Sequence, residues 1–122
     1  MEINEVEVNG IKYVRKDSVT AQEPLTKDMV IVRCKSAGVF FGRVITDNLD
    51  RGGIMVLGNC RRLWSWAGAA SLSQLAVDGT SKPKECKFPV ATKEHTLTEC
   101  IEVIPTTEKA AKSINEVPVW KA

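Results

Sequence analysis

The stretch MVIVRCKSAGVFFGRVIT, residues 29–46, constrains the fold more than any other part of the chain. MVIVRCKS (29–36) has the β-branched, apolar text of a buried strand. AGVFFGRVIT (37–46) follows a small-residue turn, so the two runs are expected to pair antiparallel. DNLDRGG (47–53) reads as a loop ending in paired glycines, and GIMVLGNCRRLWSW (53–66) as one long strand. Gly58 within it marks a bulge or a close backbone approach. HTLTECIEVI (95–104) reads as a further strand.

Helical text is sparse. AASLSQLAV (69–77) places Ala69, Leu72, Leu75 and Ala76 on one face, with Ser71, Gln74 and Asp78 turned away and Gly79 as a stop. PTTEKAAKSIN (105–115) opens with proline and threonine cap candidates, carries Glu108 in its first turn, and predicts a second short helix. TSKPKECKFPVATKE (80–94), with two prolines and four lysines, reads as a surface loop. The closing EVPVWKA offers Val117, Val119 and Trp120 to dock on the core. At the other end, Asn9-Gly10 between two β-prone runs is a strong hairpin signal, because a type I′ turn needs positive φ at both central residues. The expected organisation is an N-terminal β-hairpin (1–15), a linker (16–28) and an α+β main domain (29–122). The architecture is a small antiparallel sheet or partly open barrel with two short helices.

With 122 residues, a 43% hydrophobic share and 26% charged residues, the chain has the composition of an ordinary globular domain. A formal net charge of +2 is too small to favour nucleic acid or an anionic membrane as partner. No apolar run approaches the roughly 20 residues of a membrane-spanning helix. The acidic, alternating MEINEVEV is not a secretory signal, so a cytoplasmic location is expected. The four cysteines, Cys34, Cys60, Cys86 and Cys100, lack a close pair, and His95 is the single histidine. That spacing argues against structural zinc and for reduced core thiols.

Candidate binding chemistry is concentrated in RRLWSWAGAASLSQLAVDGT, residues 61–80. If the strand runs through 66, Cys60, Arg62, Trp64 and Trp66 share one face, and Asn59, Arg61, Leu63 and Ser65 the other. An arginine two residues from a tryptophan on that face can lie against the indole. The tryptophans can equally cover the core, with Arg62 capping them through its aliphatic stem. The ligand reading joins Arg61 or Arg62, as a bidentate phosphate grip, to a base stacked on Trp64 or Trp66. Through Gly68 the chain enters a helix start at Ala69–Ser71 whose free N–H groups suit an anion, with Ser71 and Ser73 as donors. Lys82, Lys84 and Lys87 add positive potential or form a solvated loop. The expected partner is a small nucleotide-type ligand, although no glycine-rich phosphate motif is present. No cofactor or metal is expected.

Nothing in the chain reads as an enzyme. His95 has no neighbouring nucleophile motif, and Asp47, Asp50 and Asp78 fall at turns, where aspartate serves backbone hydrogen bonding. The stretches VIVRCKSAGVFFGRV, NCRRLWSWAGAASLSQLAVDGTSKPKECKFP, LTECIEVIPTTEKAAKSI and VPVW resemble a family of small phage and prophage proteins of uncharacterised function. The resemblance spans about residues 29–120 and leaves the N-terminal hairpin outside it. It implies a phage context and the host cytoplasm, and supplies no catalytic residues. By analogy, small phage counter-defence proteins include oligomeric sponges that sequester cyclic nucleotide or cyclic ADP-ribose immune signals. A domain of this size has little depth for a whole nucleotide, so a closed homo-oligomer completing the pocket is expected. Two alternatives are a phage structural or accessory interaction module and a small β-rich nucleic-acid binder.

Overall fold

Five strands of the main domain form one antiparallel sheet in the computed structural model, which describes residues 5–8, 11–14 and 24–122. Ahead of it, β1 (Glu5–Val8) and β2 (Ile11–Val14) pair antiparallel as a separate two-stranded sheet. The Asn9-Gly10 turn expected between them lies outside the described residues. The main sheet contains β3 (Leu25–Cys34), β4 (Gly38–Asn48), β5 (Ile54–Arg62), β6 (Thr92–Leu97) and β7 (Cys100–Thr107). Their order is β6-β5-β4-β3-β7. β3 and β4 pair antiparallel about the Lys35–Ala37 turn, as the sequence predicts.

The order forces the sheet to coil. β6 and β7 are opposite edges, which in a flat five-stranded sheet lie roughly 19 Å apart. The chain nevertheless passes from Leu97 to Cys100 in three Cα steps, a reach of at most about 11 Å. The two ends also belong to diagonal corners, since Leu97 faces Met55 near the start of β5 and Cys100 faces Cys34 at the end of β3. Coiling brings these corners together. Cys100 N donates to Gly53 O at 2.9 Å and Lys35 N to Glu99 O at 2.9 Å, and Glu99 makes the corner at φ +54°. The strand expected over 95–104 is therefore two strands meeting at a corner. The sheet remains open.

Coiling gives the sheet an inside face, filled by Val30, Val32, Cys34, Phe40, Met55, Leu57, Cys60 and Leu97. Its outer face carries Ile31, Phe41 and Leu63, which pack under Leu75, Ala76, Phe88, Ala111, Ile114 and Val117. Those covering residues come from α1 (Leu72–Asp78), α2 (Glu108–Asn115) and the 86–88 segment after a 3-10 turn at Pro83–Glu85. Residues 80–94 are thus more than a surface loop, because Cys86 and Phe88 are buried and β6 begins at Thr92.

Local chemistry fixes both helices. Ser71 Oγ accepts from Gln74 N at 3.1 Å, and Gln74 Oε1 reaches back to accept from Ala70 N. This reciprocal arrangement is a capping box shifted by one residue, and it starts α1 at Leu72 rather than Ala69. The face read from the sequence holds: Leu75 and Ala76 are buried, Ala69 and Leu72 pack beside them, and Gly79 ends the helix. Thr107 Oγ1 accepts from Ala110 N at 3.0 Å and donates to Val77 O at 2.6 Å, so one hydroxyl caps α2 and ties it to α1. Residues 105–107, expected in the helix, belong to β7. β3 likewise starts four residues before the expected position, held by Thr26 Oγ1, which accepts from Met29 N and donates to Thr106 O.

Candidate functional site

β5 carries the arginines to opposite faces of the sheet. The expected bulge is present one residue on from Gly58: β4 advances two residues from Phe41 to Arg43 while β5 advances three from Arg61 to Gly58. Asn59 absorbs the extra residue at φ +48°, a conformation asparagine tolerates better than most side chains. Cys60 therefore stays with Met55 and Leu57 inside, and Arg61 goes out with Leu63.

Arg61 is 4% exposed. Its Nη1 donates to Ile114 O and Val117 O at 2.9 Å each, and its Nη2 to Phe88 O at 2.9 Å and Pro118 O at 3.5 Å. Nε donates to Pro89 O at 3.3 Å. The guanidinium thus binds the carbonyl-rich end of α2, where a cation is favoured, and stacks 5.5 Å from the Phe88 ring centroid. Burial pulls its pKa below the usual arginine value. Enclosed by backbone carbonyls, Arg61 has no route to a phosphate.

Arg62 is half-buried on the other side. Its guanidinium lies 4.5 Å from the Phe40 ring centroid, and Nη1 donates to Ala37 O at 2.6 Å. Those two contacts fix its plane, and among the described residues it has no carboxylate partner and its other N–H groups make no hydrogen bond.

The strand expected through 66 stops at Arg62. Leu63 N still donates to Val39 O at 2.8 Å, after which the chain leaves β4 and bridges to the 86–88 segment, with Lys87 N donating to Ser65 O at 2.7 Å. That crossing breaks the alternation. Trp66 packs against the helix-side core, so it is not on the face of Cys60, whereas Trp64 stands 64% exposed. Arg62, Leu63, Trp64 and Trp66 face the β3–β4 turn, Ser36–Val39, across a cleft of about 280 Å³.

The remaining candidates lie elsewhere. Ala69 is part of the helix-side core, and Ser73 is exposed. Ser71 is the N-cap of α1, a helix of seven residues, its Oγ accepting from Gln74 N, while Gln74 Oε1 accepts from Ala70 N just ahead of the cap. Lys82 is exposed beside Gly68, which holds φ +83° so close to the 80–82 segment that a Cβ would sit 2.5 Å from Lys82 N. Lys84 lines a second cleft of about 320 Å³ with Pro83, Cys86, Pro118, Val119 and Trp120, and Lys87 Nζ sits 5.5 Å from the Trp120 ring centroid. The cleft wall at Ser36–Gly38 was not anticipated from sequence. Its only local signal is the small-residue turn.

His95 Nδ1 is 2.9 Å from Thr92 Oγ1 and its ring tilts against Phe40 at 5.2 Å, a packing role on the edge strand. Among the described residues no group of three or more His, Cys, Asp or Glu is placed to hold a metal ion. No described helix is long and apolar enough to cross a membrane.

No curated protein and no solved structure is significantly similar to the chain. One family model, described as Domain of unknown function (DUF6948), matches residues 27–114. The match takes in nearly the whole coiled sheet, both helices and the Arg62–Trp64–Trp66 cleft. It spans well over half of the sequence, and the chain belongs to this family of domains of unknown function.

Proposed function

We propose that the chain is a phage-encoded, non-enzymatic binding protein that captures a nucleotide-type ligand at the Arg62–Trp64–Trp66 cleft, as a counter-defence sponge for a cyclic nucleotide or ADP-ribose-type signal. The observation that carries the reading is the pairing of a largely exposed indole, Trp64, with a guanidinium whose plane is already fixed by Ala37 O and Phe40. A ring free to stack a base and a cation free to meet a phosphate, both lining one cleft, are the two contacts such a ligand needs. Because Arg62 is held before a ligand arrives, little ordering entropy is lost on binding. The phage setting rests on the family resemblance of residues 29–120. At about 280 Å³ the cleft lies below the roughly 300–1,000 Å³ usual for whole small-molecule pockets, so one protomer holds part of the ligand and a second copy covers the rest.

The test is a thermal-shift series with cyclic di- and trinucleotides, cyclic ADP-ribose isomers and linear mononucleotides, on the wild type and on Trp64→Ala. A selective rise in Tm for the wild type that the variant loses is the expected result. A flat response of the wild type to every compound overturns the proposal. Binding that collapses steeply with ionic strength would instead favour the nucleic-acid alternative.

A further inference from the structure

Cys34 and Cys100 are direct partners across β3 and β7. Their Sγ atoms are 3.8 Å apart, in van der Waals contact, and both thiols are free. The pair follows a register shift after Arg33–Glu102, and the roughly 4.4–6.8 Å Cα range that a disulfide accepts is wider than the ~4.5–5.5 Å of a regular antiparallel ladder. On its other side Cys34 faces Gly38 of β4, which presents no side chain. The pairing is also held from outside the two strands. Lys35 N donates to Glu99 O and Cys100 N to Gly53 O, both at 2.9 Å, so the two cysteines sit at the hydrogen-bonded corner where the coiled sheet meets itself. The thiols differ in access: Cys34 is 4% exposed, while Cys100 is only half-buried.

We propose that Cys34 and Cys100 form a thiol–disulfide modification site, oxidised by a low-molecular-weight disulfide of the glutathione class and locking the β3–β7 corner. This inference is independent of the ligand reading. The more accessible Cys100, as thiolate, attacks one sulfur of the small disulfide; that S–S bond breaks and one small thiolate leaves. Cys34, as thiolate, then attacks the Cys100 sulfur of the mixed disulfide and displaces the second small thiolate. The two cysteine sulfurs are oxidised by two electrons in total and the small disulfide is reduced by two. The two thiol protons end on the released small thiols. In the reduced pair, burial and then the neighbouring Cys100 thiol push Cys34 up to about 12; the burial remains in the mixed disulfide, so the second step accelerates with rising pH.

The folded protein is incubated with oxidised glutathione, its remaining thiols are alkylated after unfolding, and the product is analysed by intact mass and peptide mapping. The expected product has lost two hydrogens, carries a Cys34–Cys100 bridge and alkylates only at Cys60 and Cys86. Cys34→Ser is expected to stop at a single glutathione adduct on Cys100, and Cys100→Ser to leave Cys34 unmodified. Four alkylated cysteines in the treated wild type, a persistent mixed disulfide, or a bridge to Cys60 or Cys86 would overturn the proposal. The wild-type result decides it even where a variant fails to fold.

Discussion

Replacing Arg61 by methionine separates a clamp on the fold from a ligand contact. The guanidinium makes five hydrogen bonds to backbone carbonyls, three of them at 2.9 Å. At about 1.5 kcal/mol for each of the three short charge-assisted bonds, the gross loss is roughly 4–5 kcal/mol. Methionine fills much of the vacated volume and no longer buries a charge, which lowers the net loss to about 3 kcal/mol. For 122 residues, an unfolding entropy of about 2.1 cal/mol/K per residue sums to about 0.26 kcal/mol/K, so Tm falls by about 12 °C. Arg61→Lys keeps the charge, yet a single ammonium cannot span carbonyls contributed by Phe88, Ile114, Val117 and Pro118, and a loss of about 2 kcal/mol is expected. Differential scanning calorimetry measures both. A drop below about 4 °C for Arg61→Met would refute the clamp, and loss of ligand binding in a variant held well below its Tm would return Arg61 to the site.

Burial raises Cys34, helped by its contact with Cys100, and Cys60 from 9.0 to about 12. Between those values the folded state holds more protons than the unfolded one, so stability falls as pH rises above 9. The limiting slope is about 1.4 kcal/mol per pH unit for each thiol, and urea titrations from pH 8 to 11 with Cys60→Ala are expected to show roughly half the wild-type slope. Thr107→Val removes the α2 cap and the bond to Val77 O together, and is expected to cost about 2 kcal/mol by denaturant titration. Trp64→Ala, at a side chain 64% exposed, is expected to leave the unliganded Tm within about 2 °C of wild type in a calorimetric scan.

The strands and the apolar face of α1 were legible because each is a local pattern: β-branched runs for β3 to β5, and period 3.6 ending at Gly79 for α1. The corner at Glu99 was not legible. Glutamate rarely takes positive φ, and both flanking segments are strand-like, so only the sheet order requires a break there. The bulge fell on Asn59 beside the glycine that signalled it, which decides how the residues after it are distributed between the faces. The early start of β3 depends on Thr26 meeting Thr106, 80 residues away, and no local periodicity records such a contact. Likewise Pro105 reads as a helix opener until β7 is seen to be an edge strand, where a missing N–H is tolerated.

The same distinction divides Arg61 from Arg62, adjacent letters with different physical roles. Alternation correctly puts them on opposite faces, but it cannot say which face holds carbonyls from residues 27 to 57 positions away. Those long-range acceptors withdraw Arg61 from solvent, leaving Arg62 as the arginine lining the cleft. Arg62 is tied to the fold by one carbonyl and one ring face. Truncating it to glutamine in Arg62→Gln gives up a contact worth about 0.5–1 kcal/mol on Phe40 and one partly solvated hydrogen bond, for a Tm fall of about 4–8 °C by the same entropy. That is clearly smaller than the shift expected at Arg61, and the order should reverse for ligand binding, where Arg62→Gln abolishes the response and Arg61→Met preserves it. Equal effects of the two substitutions on stability would mean that the partition of the pair between core and cleft is wrong.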